Sequence, residues 1–457
     1  MLFRQVLYQD LGCASYLLGD AGEAIVVDPR WDIAPYLEIA ASQHLRIAHV
    51  IDTHDHADHV SGRVRLARAT GARNYRPGPV KDGAGEVVAA GDEIIAGSVC
   101  LTAVPTPGHR PEHLTFLVSD LSRGPEPWML LSGDSLLVGD VARPDLAVEA
   151  REGAHALHES LRRLLDLDDH VEVWPAHIGG SLCGGAGLSG KSSSTIGFER
   201  RHNPLLELDE DSFVRGVTAN LPSRPPSVER IVELNRHPVL TSPPEPGPLS
   251  GDALVSLLGT GAIVLDSRAP AEYDLGHIAG SINLPVSSAG VGTRAGWALD
   301  PEAPVVIVAG DPADARQMAL ALQAVGFWNL EGISIADFVQ WRRHSVPVAH
   351  ADSWDLEQLA DGLRRRSVDL VDVREPSEWV AGHIPGSHHV PLNRLRDVQS
   401  IVLPQRGRTT AVACAAGMRA AFAASLLRRA GRADVVRVAG GGIGDLGALG
   451  LELAAGN

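Results

Sequence analysis

The sequence lacks any cluster of basic residues. It has 40 Lys and Arg residues against 56 Asp and Glu residues, which gives a formal net charge of -16. Nucleic acids and anionic membrane surfaces bind clustered Lys and Arg, so we predict that neither is a partner of this protein. The acidic balance instead favours solubility.

Long apolar runs and a leader pattern are also missing. No apolar stretch approaches the length of about 20 residues that a membrane helix needs. The first twenty residues, MLFRQVLYQDLGCASYLLGD, do not combine a basic start with an apolar segment. We therefore expect a cytoplasmic protein.

Cysteine is scarce, and its spacing argues against a disulfide framework. The four cysteines are widely separated and form no CxxC pair: Cys13, Cys100, Cys183 and Cys414. This pattern favours reduced thiols, any one of which is a candidate for reactivity.

The sequence does contain alternating β-rich and helical segments over residues 1–240. Runs such as AIVVD, HVIDTH and WMLLSGD alternate with helical stretches such as HALHESLRRLLD, which predicts an α/β domain with its site at strand ends. The stretch HPVLTSPPEPGPLSGD, residues 237–252, lacks periodicity and is interpreted as a linker. With 457 residues, the chain is long enough for two or three domains.

Beyond this linker the sequence repeats itself. VLDSRAPAEYDLGHIAGSINLP aligns with LVDVREPSEWVAGHIPGSHHVP, and Asp266 and Asp372 lie 106 residues apart. The repeat predicts two related α/β modules, residues 250–346 and 353–457. In the second module Cys414 follows an apolar strand, whereas Gly310 holds the corresponding place in the first.

A cluster of histidines and aspartates follows the predicted strand HVIDT. Further histidines and an aspartate end later strands, in the motifs TPGH, LSGD and WPAH. Seven side chains are thus predicted to converge on a metal: His54, His56, Asp58, His59, His109, Asp134 and His177. Such a set could clamp two zinc ions for hydrolysis, or a subset could hold one iron and leave room for oxygen.

The order and spacing of HxHxDH, PGH, GD and PAH resemble the metallo-β-lactamase fold over residues 1–240. The resemblance implies an α/β domain built as a four-layer αββα sandwich, with metals at one edge of its two sheets. In hydrolases of this fold, such as glyoxalase II, all seven positions bind two zinc ions.

The resemblance is closer to the persulfide dioxygenases. SGDSLLVGDVARPDL is similar to their GDxLxxGxxGRxD signature, with Ala142 where glycine is usual. This branch implies one Fe(II) in the N-terminal domain, held at the positions of His54, His109 and Asp134. The remaining four side chains would then orient the ligands and relay protons: His56, Asp58, His59 and His177.

Cys183 lies in GSLCGG, a few residues after His177, and we expect it near the mouth of the site. The stretch from PAH to RRHNP resembles dioxygenases fused to sulfurtransferase domains, where a cysteine also occurs. Two interpretations stay open for Cys183: a role in holding or passing sulfur, and an inert loop cysteine.

The loop Cys414-Ala-Ala-Gly-Met-Arg419 is predicted to lie between a strand and a helix. Loop N–H groups and the helix N-terminus would stabilise a thiolate there, and Arg419 adds a positive charge for the thiolate and for an anionic sulfur donor. We therefore treat Cys414 and Arg419 as catalytic candidates.

The CxxGxR motif and the upstream DVREPSEWVAGHIPG make residues 353–457 resemble a rhodanese domain, whose cysteine carries a persulfide. Ala415 replaces the basic residue that is common just after this cysteine. Residues 250–346 resemble the same fold, but with Gly310 in place of the cysteine this module should be catalytically silent.

Together these resemblances imply a protein of bacterial sulfide detoxification with two activities. The first is oxidation of a low-molecular-weight thiol persulfide by O2, at Fe(II), to sulfite and thiol. The second is transfer of sulfane sulfur through a Cys414 persulfide, with sulfite or thiosulfate as partner.

Two other functions stay open at this point. A dizinc thioester hydrolase of the glyoxalase II kind, fused to a sulfurtransferase, would use the same ligands. A non-catalytic sulfur-trafficking or sensing protein would keep Cys414 without turnover. The sequence also leaves open the identity of the thiol carrier and a homo-oligomeric state.

Overall fold

The structure is a computed structural model of the 457-residue chain. It describes residues 1–78, 85–179, 181–185, 187–219, 221, 224–237, 245–288, 290–398, 401–405 and 407–456. Residues 238–244 of the expected linker, seven of its sixteen residues, lie outside the described part. The chain forms two compact units, residues 1–243 with 323–326, and residues 244–322 with 327–457.

The first unit contains two six-stranded sheets. The strands of the first sheet are, in spatial order, Leu2–Tyr8, Cys13–Asp20, Glu23–Val27, Arg46–Ile51, Arg73–Pro77 and Glu86–Val88. Those of the second sheet are Ser194–Thr195, Glu172–Pro175, Met129–Gly133, Leu114–Asp120, Val99–Pro105 and Glu93–Ala96. A short pair, Leu136–Leu137 with Asp140–Val141, lies beside them.

Helices cover the outer faces of both sheets. The described helices of this unit are Ala34–Ser42, Arg63–Thr70, Ala150–Leu164, Ile196–His202, Glu210–Thr218 and Val228–Arg236. The Glu149 side chain begins Ala150–Leu164 by accepting hydrogen bonds from two first-turn N–H groups.

Successive side chains of a strand pack into two different cores, one between the two sheets and one between a sheet and its helices. Leu18 and Val27 point between the sheets and pack with residues such as Phe116 of the second sheet. Their neighbours Leu17 and Val26 point the other way, toward the helices. Because successive side chains of a strand face opposite sides, one sequence run supplies both layers. The predicted four-layer αββα sandwich is confirmed.

The second unit contains two parallel sheets, one in each repeat. The first, in spatial order, is Ile282–Asn283, Ile263–Asp266, Val305–Ala309 and Leu330–Ile335. The second is Ser353–Trp354, Val435–Val438, Thr409–Ala413, Val368–Asp372 and His388–His389. A separate pair joins His277–Ile278 to Val348–Ala349.

Helices pack on both repeats of the second unit. Those of the first repeat are Gly251–Gly259, Pro270–Leu275, Val291–Ala298, Pro312–Ala324 and Phe338–Arg343. Those of the second are Leu356–Arg364, Pro376–Ala381 and Met418–Arg429, with 3-10 turns at Leu392–Asp397 and Ile443–Leu449. The two predicted α/β modules are therefore present.

All four cysteines are free and buried. Among the residues that the structure describes, no helix is both long enough and apolar enough to cross a bilayer.

Candidate functional site

Three of the predicted metal ligands follow the ends of three strands. Arg46–Ile51 leads to His54, Val99–Pro105 to His109, and Met129–Gly133 to Asp134. Gly108 and Gly133, at φ of 150° and 53°, turn the chain just before these last two side chains. A Cβ on Gly108 would lie 2.5 Å from the Cα of Leu157, so a larger residue could not make this turn.

His54, His109 and Asp134 form one group of fully buried side chains. Their facing ligand atoms lie within 4.8 Å of one another. Asp134 Oδ2 is 3.7 Å from His54 Nε2 and 3.3 Å from His109 Nε2. None of these three atoms has a hydrogen-bond partner, although all are buried. Buried polar atoms without partners are costly, so three that converge on one point fit a bound cation.

The other polar atoms of this group are held by hydrogen bonds. His109 Nδ1 donates to the Arg143 carbonyl at 2.8 Å, which leaves Nε2 as a bare acceptor. The Thr53 hydroxyl donates to Asp28, so it accepts from His54 Nδ1, at 2.9 Å. Both imidazoles therefore present an unprotonated nitrogen to the centre, as metal binding requires.

The protonation of the group follows from its burial. Burial lowers the pKa of His54 well below its ordinary value, and the neighbouring His56 and His109 imidazoles lower it further. Burial likewise lowers the pKa of His109. Burial would raise the pKa of Asp134, but His177 holds it below the ordinary value. The result is two neutral imidazoles and one carboxylate, the protonation states that metal ligands adopt.

His177 bridges two carboxylates instead of presenting a free nitrogen. Its Nδ1 is 2.5 Å from Asp134 Oδ1, and its Nε2 is 2.9 Å from Asp58 Oδ2. Despite its burial, these carboxylates raise its pKa well above the ordinary value. Here His177 orients Asp134.

Asp58 and His59 belong to a second group, together with His177 and Cys13. Asp58 Oδ2 lies 3.1 Å from both His59 Nδ1 and Cys13 Sγ. Cys13 Sγ is also 3.5 Å from His177 Nε2.

His56 belongs to a third group, with Asp28 and Asp52. Its Nε2 lies 3.1 Å from Asp28 Oδ1. Three atoms of these two groups also lack a partner: His56 Nδ1, Asp58 Oδ1 and His59 Nε2. The seven predicted side chains thus come together, but as a triad and two flanking groups.

Sequence reasoning missed four residues of this centre, among them Asp52 of the third group. Asp28 holds Thr53 and His56, and Cys13 joins the second group. His113 accepts the backbone N–H of Asp134 at 2.8 Å, and burial lowers its pKa to about 4. A signal existed only for His113, which lies four residues after His109.

Cys183 lies beside the centre but not at its mouth. Its sulfur groups with Asp134 and His177, and the residue is only 1% exposed. Burial raises the pKa of its thiol, which opposes thiolate formation. The thiol expected near the mouth of the site is thus buried, and Arg143 ties its loop to the centre by donating its backbone N–H to the Cys183 carbonyl.

Cys414 follows the strand Thr409–Ala413 and precedes the helix Met418–Arg429. Its sulfur accepts the backbone N–H of Gly417 at 3.1 Å, and Gly417 makes this turn at φ of 87°. The thiol thus lies at a helix N-terminus, where N–H groups favour an anion.

The Arg419 guanidinium is not a free charge. It pairs with both carboxylate oxygens of Glu378, at 2.6 and 2.8 Å. Glu378 also accepts the backbone N–H of Glu375, which caps the helix Pro376–Ala381. Sequence reasoning predicted the arginine but not this partner.

In the first module the corresponding loop is shorter. Only Gly310 and Asp311 separate the strand Val305–Ala309 from the helix Pro312–Ala324. The Asp311 carboxylate accepts two N–H groups of that helix, at 2.8 and 2.9 Å. A side-chain carboxylate therefore takes the place that an anion would occupy.

Profiles of two families match this chain. The metallo-beta-lactamase superfamily matches residues 8–177, and the rhodanese-like domain matches residues 250–344 and 355–445.

Individual relatives match different shares of the chain. The mitochondrial persulfide dioxygenase of Homo sapiens is 30% identical over 51% of this chain and 87% of its own length. The hydroxyacylglutathione hydrolase of Anaeromyxobacter dehalogenans is 30% identical over 46% of this chain and 87% of its own length. The crystal structure of a metallo-beta-lactamase from Staphylococcus aureus has a TM-score of 0.65 and 30% identity, and covers 74% of this chain and 99% of its own.

Proposed function

We propose that this chain, which belongs to the metallo-beta-lactamase superfamily, is an enzyme that catalyses two sulfur reactions. Its N-terminal half is homologous to persulfide dioxygenases, and it also carries two rhodanese-like domains. Residues 1–240 would form the dioxygenase domain, residues 250–346 a silent rhodanese domain, and residues 353–457 an active one. The free cysteines fit a cytoplasmic location.

The first reaction is oxidation of a low-molecular-weight thiol persulfide. One persulfide RSSH, one O2 and one water give one thiol RSH and one sulfurous acid, which ionises to sulfite. The sulfane sulfur loses four electrons, and O2 accepts all four.

The observation that carries this proposal is the set of three unpartnered atoms at His54, His109 and Asp134. Two histidines and one carboxylate hold Fe(II) on one face and leave positions open for a substrate sulfur and O2. Iron bound there would supply the O2 chemistry.

The surrounding residues would prepare the site for that reaction. His177 fixes Asp134 Oδ1 so that Oδ2 faces the centre. The His177 ring lies between the Asp134 and Asp58 carboxylates. This chain of three side chains would provide a route by which protons can leave the centre. Complete burial of the triad keeps bulk water away from the reacting sulfur.

The second reaction is sulfur transfer at Cys414. The thiolate attacks the outer sulfur of thiosulfate, the S–S bond breaks, sulfite leaves and a Cys414 persulfide forms. In the opposite direction, the thiolate takes the outer sulfur of a second persulfide RSSH, whose S–S bond breaks to release the thiol RSH. The Cys414 persulfide then delivers this sulfur to sulfite from the first site and makes thiosulfate. The Gly417 N–H at the sulfur supports the anionic states on this path.

The test measures metal content and persulfide-dependent O2 uptake of anaerobically purified protein. Asp134→Ala and His109→Ala should lose iron and O2 uptake, by at least about a hundredfold, while sulfur transfer persists. His177→Ala should retain more iron than His109→Ala, because it acts through Asp134. The exposed His170→Ala serves as control and should behave as wild type. Retained O2 uptake in Asp134→Ala would contradict the single-iron site.

A dizinc thioester hydrolase is the second candidate. It is supported by the hydrolase relative and by the second group of ligands around Asp58 and His59. Two zinc ions per chain, thioester hydrolysis and no O2 uptake would favour it. Intact metal and Cys414 without either turnover would favour a trafficking or sensing protein.

A further inference from the structure

The silent rhodanese-like module packs against the helix that follows Cys414. On that helix, Met418–Arg429, the buried Ser425 hydroxyl accepts the backbone N–H of Asn283, at 2.9 Å. At its end, the Arg429 guanidinium donates to the Gly280 carbonyl, also at 2.9 Å. Two residues of the silent module thus hold the helix whose N-terminus faces the thiol.

A third contact joins the two modules through a buried ion pair. Arg437 donates to Asp274 Oδ2 through Nη2 at 2.5 Å and through Nε at 3.2 Å. The two side chains are only 8% and 10% exposed. A buried guanidinium is costly without an anion, so Asp274 decides where this group lies.

Arg437 also borders the Cys414 loop. Its strand, Val435–Val438, pairs with Thr409–Ala413, the strand that ends at Cys414. A Cβ built on Gly417 would lie 4.0 Å from Arg437 Nη1 and 3.5 Å from the Val438 carbonyl. Gly417 is the residue whose N–H contacts the Cys414 sulfur. One residue therefore separates the ion pair from the reacting atom.

The ion pair is not a feature of the repeated fold. The strand register places Ser334 of the first module where Arg437 lies in the second. The 106-residue offset places Val380 of the second module where Asp274 lies in the first, and Val380 is 42% exposed. Each charge thus occurs in one module only, and each faces the other.

We propose that Asp274 of the silent module is a positioning residue for sulfur transfer: by holding Arg437 against the Gly417 turn, it keeps the Gly417 N–H directed at the Cys414 sulfur. This inference rests on the proposed sulfurtransferase function. It assigns the silent module a role in the chemistry of its neighbour. Without Asp274, the Arg437 guanidinium would move toward another anion. One such anion is the Cys414 thiolate, which lies in the same loop as Gly417.

Asp274→Asn in the full chain tests this assignment. We expect kcat for thiosulfate-dependent transfer to fall roughly tenfold with little change in KM, a loss typical of a small misplacement of reacting groups. The pH profile of Cys414 alkylation by iodoacetamide, followed by mass spectrometry, should shift as well. Asp274→Glu, which keeps the charge, should recover most of both properties.

Asp434→Asn is the matched control. Asp434 makes a similar ion pair with Arg432, at 2.6 Å, just before the same strand. If it lowers transfer as much as Asp274→Asn does, any lost ion pair suffices and the assignment is wrong. Unchanged transfer and alkylation in Asp274→Asn would also overturn it. If Asp274→Asn fails to fold, the double variant Asp274→Leu,Arg437→Leu replaces it. Wild-type transfer kinetics in that variant, once it is shown to be folded, would overturn the assignment.

Failure of the underlying function has a different signature. Wild-type protein without any transfer activity would refute the sulfurtransferase proposal. The alkylation profile of Cys414 would then still report whether Asp274 shapes the loop.

Discussion

The two rhodanese-like modules share the interactions that build their fold. In each, an aspartate at a strand end pairs with an arginine two residues later, Asp266 with Arg268 at 2.5 Å and Asp372 with Arg374 at 2.7 Å. The ring contacts repeat as well, at centroid distances of 3.7 and 3.9 Å: Tyr273 with His277, and Trp379 with His383. These shared groups stabilise the fold in both modules.

The modules differ where the next strand ends. The second has a four-residue loop, residues 414–417, that begins with Cys414 and directs the Gly417 N–H at its sulfur. The first has Gly310 and Asp311, and the Asp311 carboxylate uses the helix N–H groups itself. Loop length and one carboxylate, more than the surrounding fold, therefore distinguish the loop that carries a thiol from the loop that carries none.

The largest effect is expected from Cys414→Ser. A serine hydroxyl cannot form a persulfide, so thiosulfate-dependent transfer should fall to background while O2 uptake continues. Fed with persulfide, this variant should accumulate sulfite where the wild type makes thiosulfate. Product analysis by chromatography measures the change.

Mass spectrometry sharpens the same comparison between modules. Incubation with thiosulfate should add one sulfur to the peptide that contains Cys414 and none to the peptide that contains Gly310. Transfer that survives in Cys414→Ser would place the carrier elsewhere, with Cys183 the next candidate to substitute.

A smaller effect is expected from Glu378→Gln. Arg419 would lose its paired carboxylate and its fixed orientation, so kcat/KM for thiosulfate should fall about fivefold, equivalent to about 1 kcal/mol for a partly exposed ion pair. Steady-state kinetics at neutral pH measure it.

Glu272→Gln in the silent module is the matched control. Glu272 occupies the same helix position and, like Glu378, caps its helix, here by accepting the Ala269 N–H at 3.3 Å. Its substitution should leave transfer unchanged. Equal losses in both variants would mean that capping, and not Arg419, explains the effect.

The smallest effect is expected from Gly310→Cys in the Cys414→Ser background. A Cβ at Gly310 meets only Arg268 Cγ, at 3.9 Å, so the new side chain fits. Transfer should nevertheless stay at background, because Asp311 occupies the N–H groups that a thiolate needs. Transfer above that of Cys414→Ser alone would contradict this account of the silent loop.

Much of the fold was predictable from the sequence. The alternation of β-rich and helical segments and the 106-residue repeat indicated α/β domains, and the motif resemblance indicated the αββα sandwich. These features are local or repetitive, so a single sequence displays them. The packing of the two modules through Asp274 and Arg437 is not local, since these residues lie 163 positions apart.

For the candidate metal centre, the motifs pointed to the residues and the family resemblance to the triad His54, His109 and Asp134, but neither indicated their hydrogen-bond partners. The order of motifs pointed to all seven side chains, because each motif follows a strand. Which atoms face one point depends on side-chain rotation and on neighbours such as Asp28, which the sequence does not mark. Cys183 shows the same limit, since its distance in sequence from His177 said nothing about its burial.

By itself, then, the sequence determined which chemical groups the protein contains: a set of histidines and aspartates that follow strands, and one cysteine in a CxxGxR loop. Only the tertiary structure decided that His54, His109 and Asp134 keep unpartnered atoms while His177 is bridged by carboxylates. The physical reason is that residue type supplies a donor or an acceptor, whereas its availability depends on which partners the fold brings within hydrogen-bond distance.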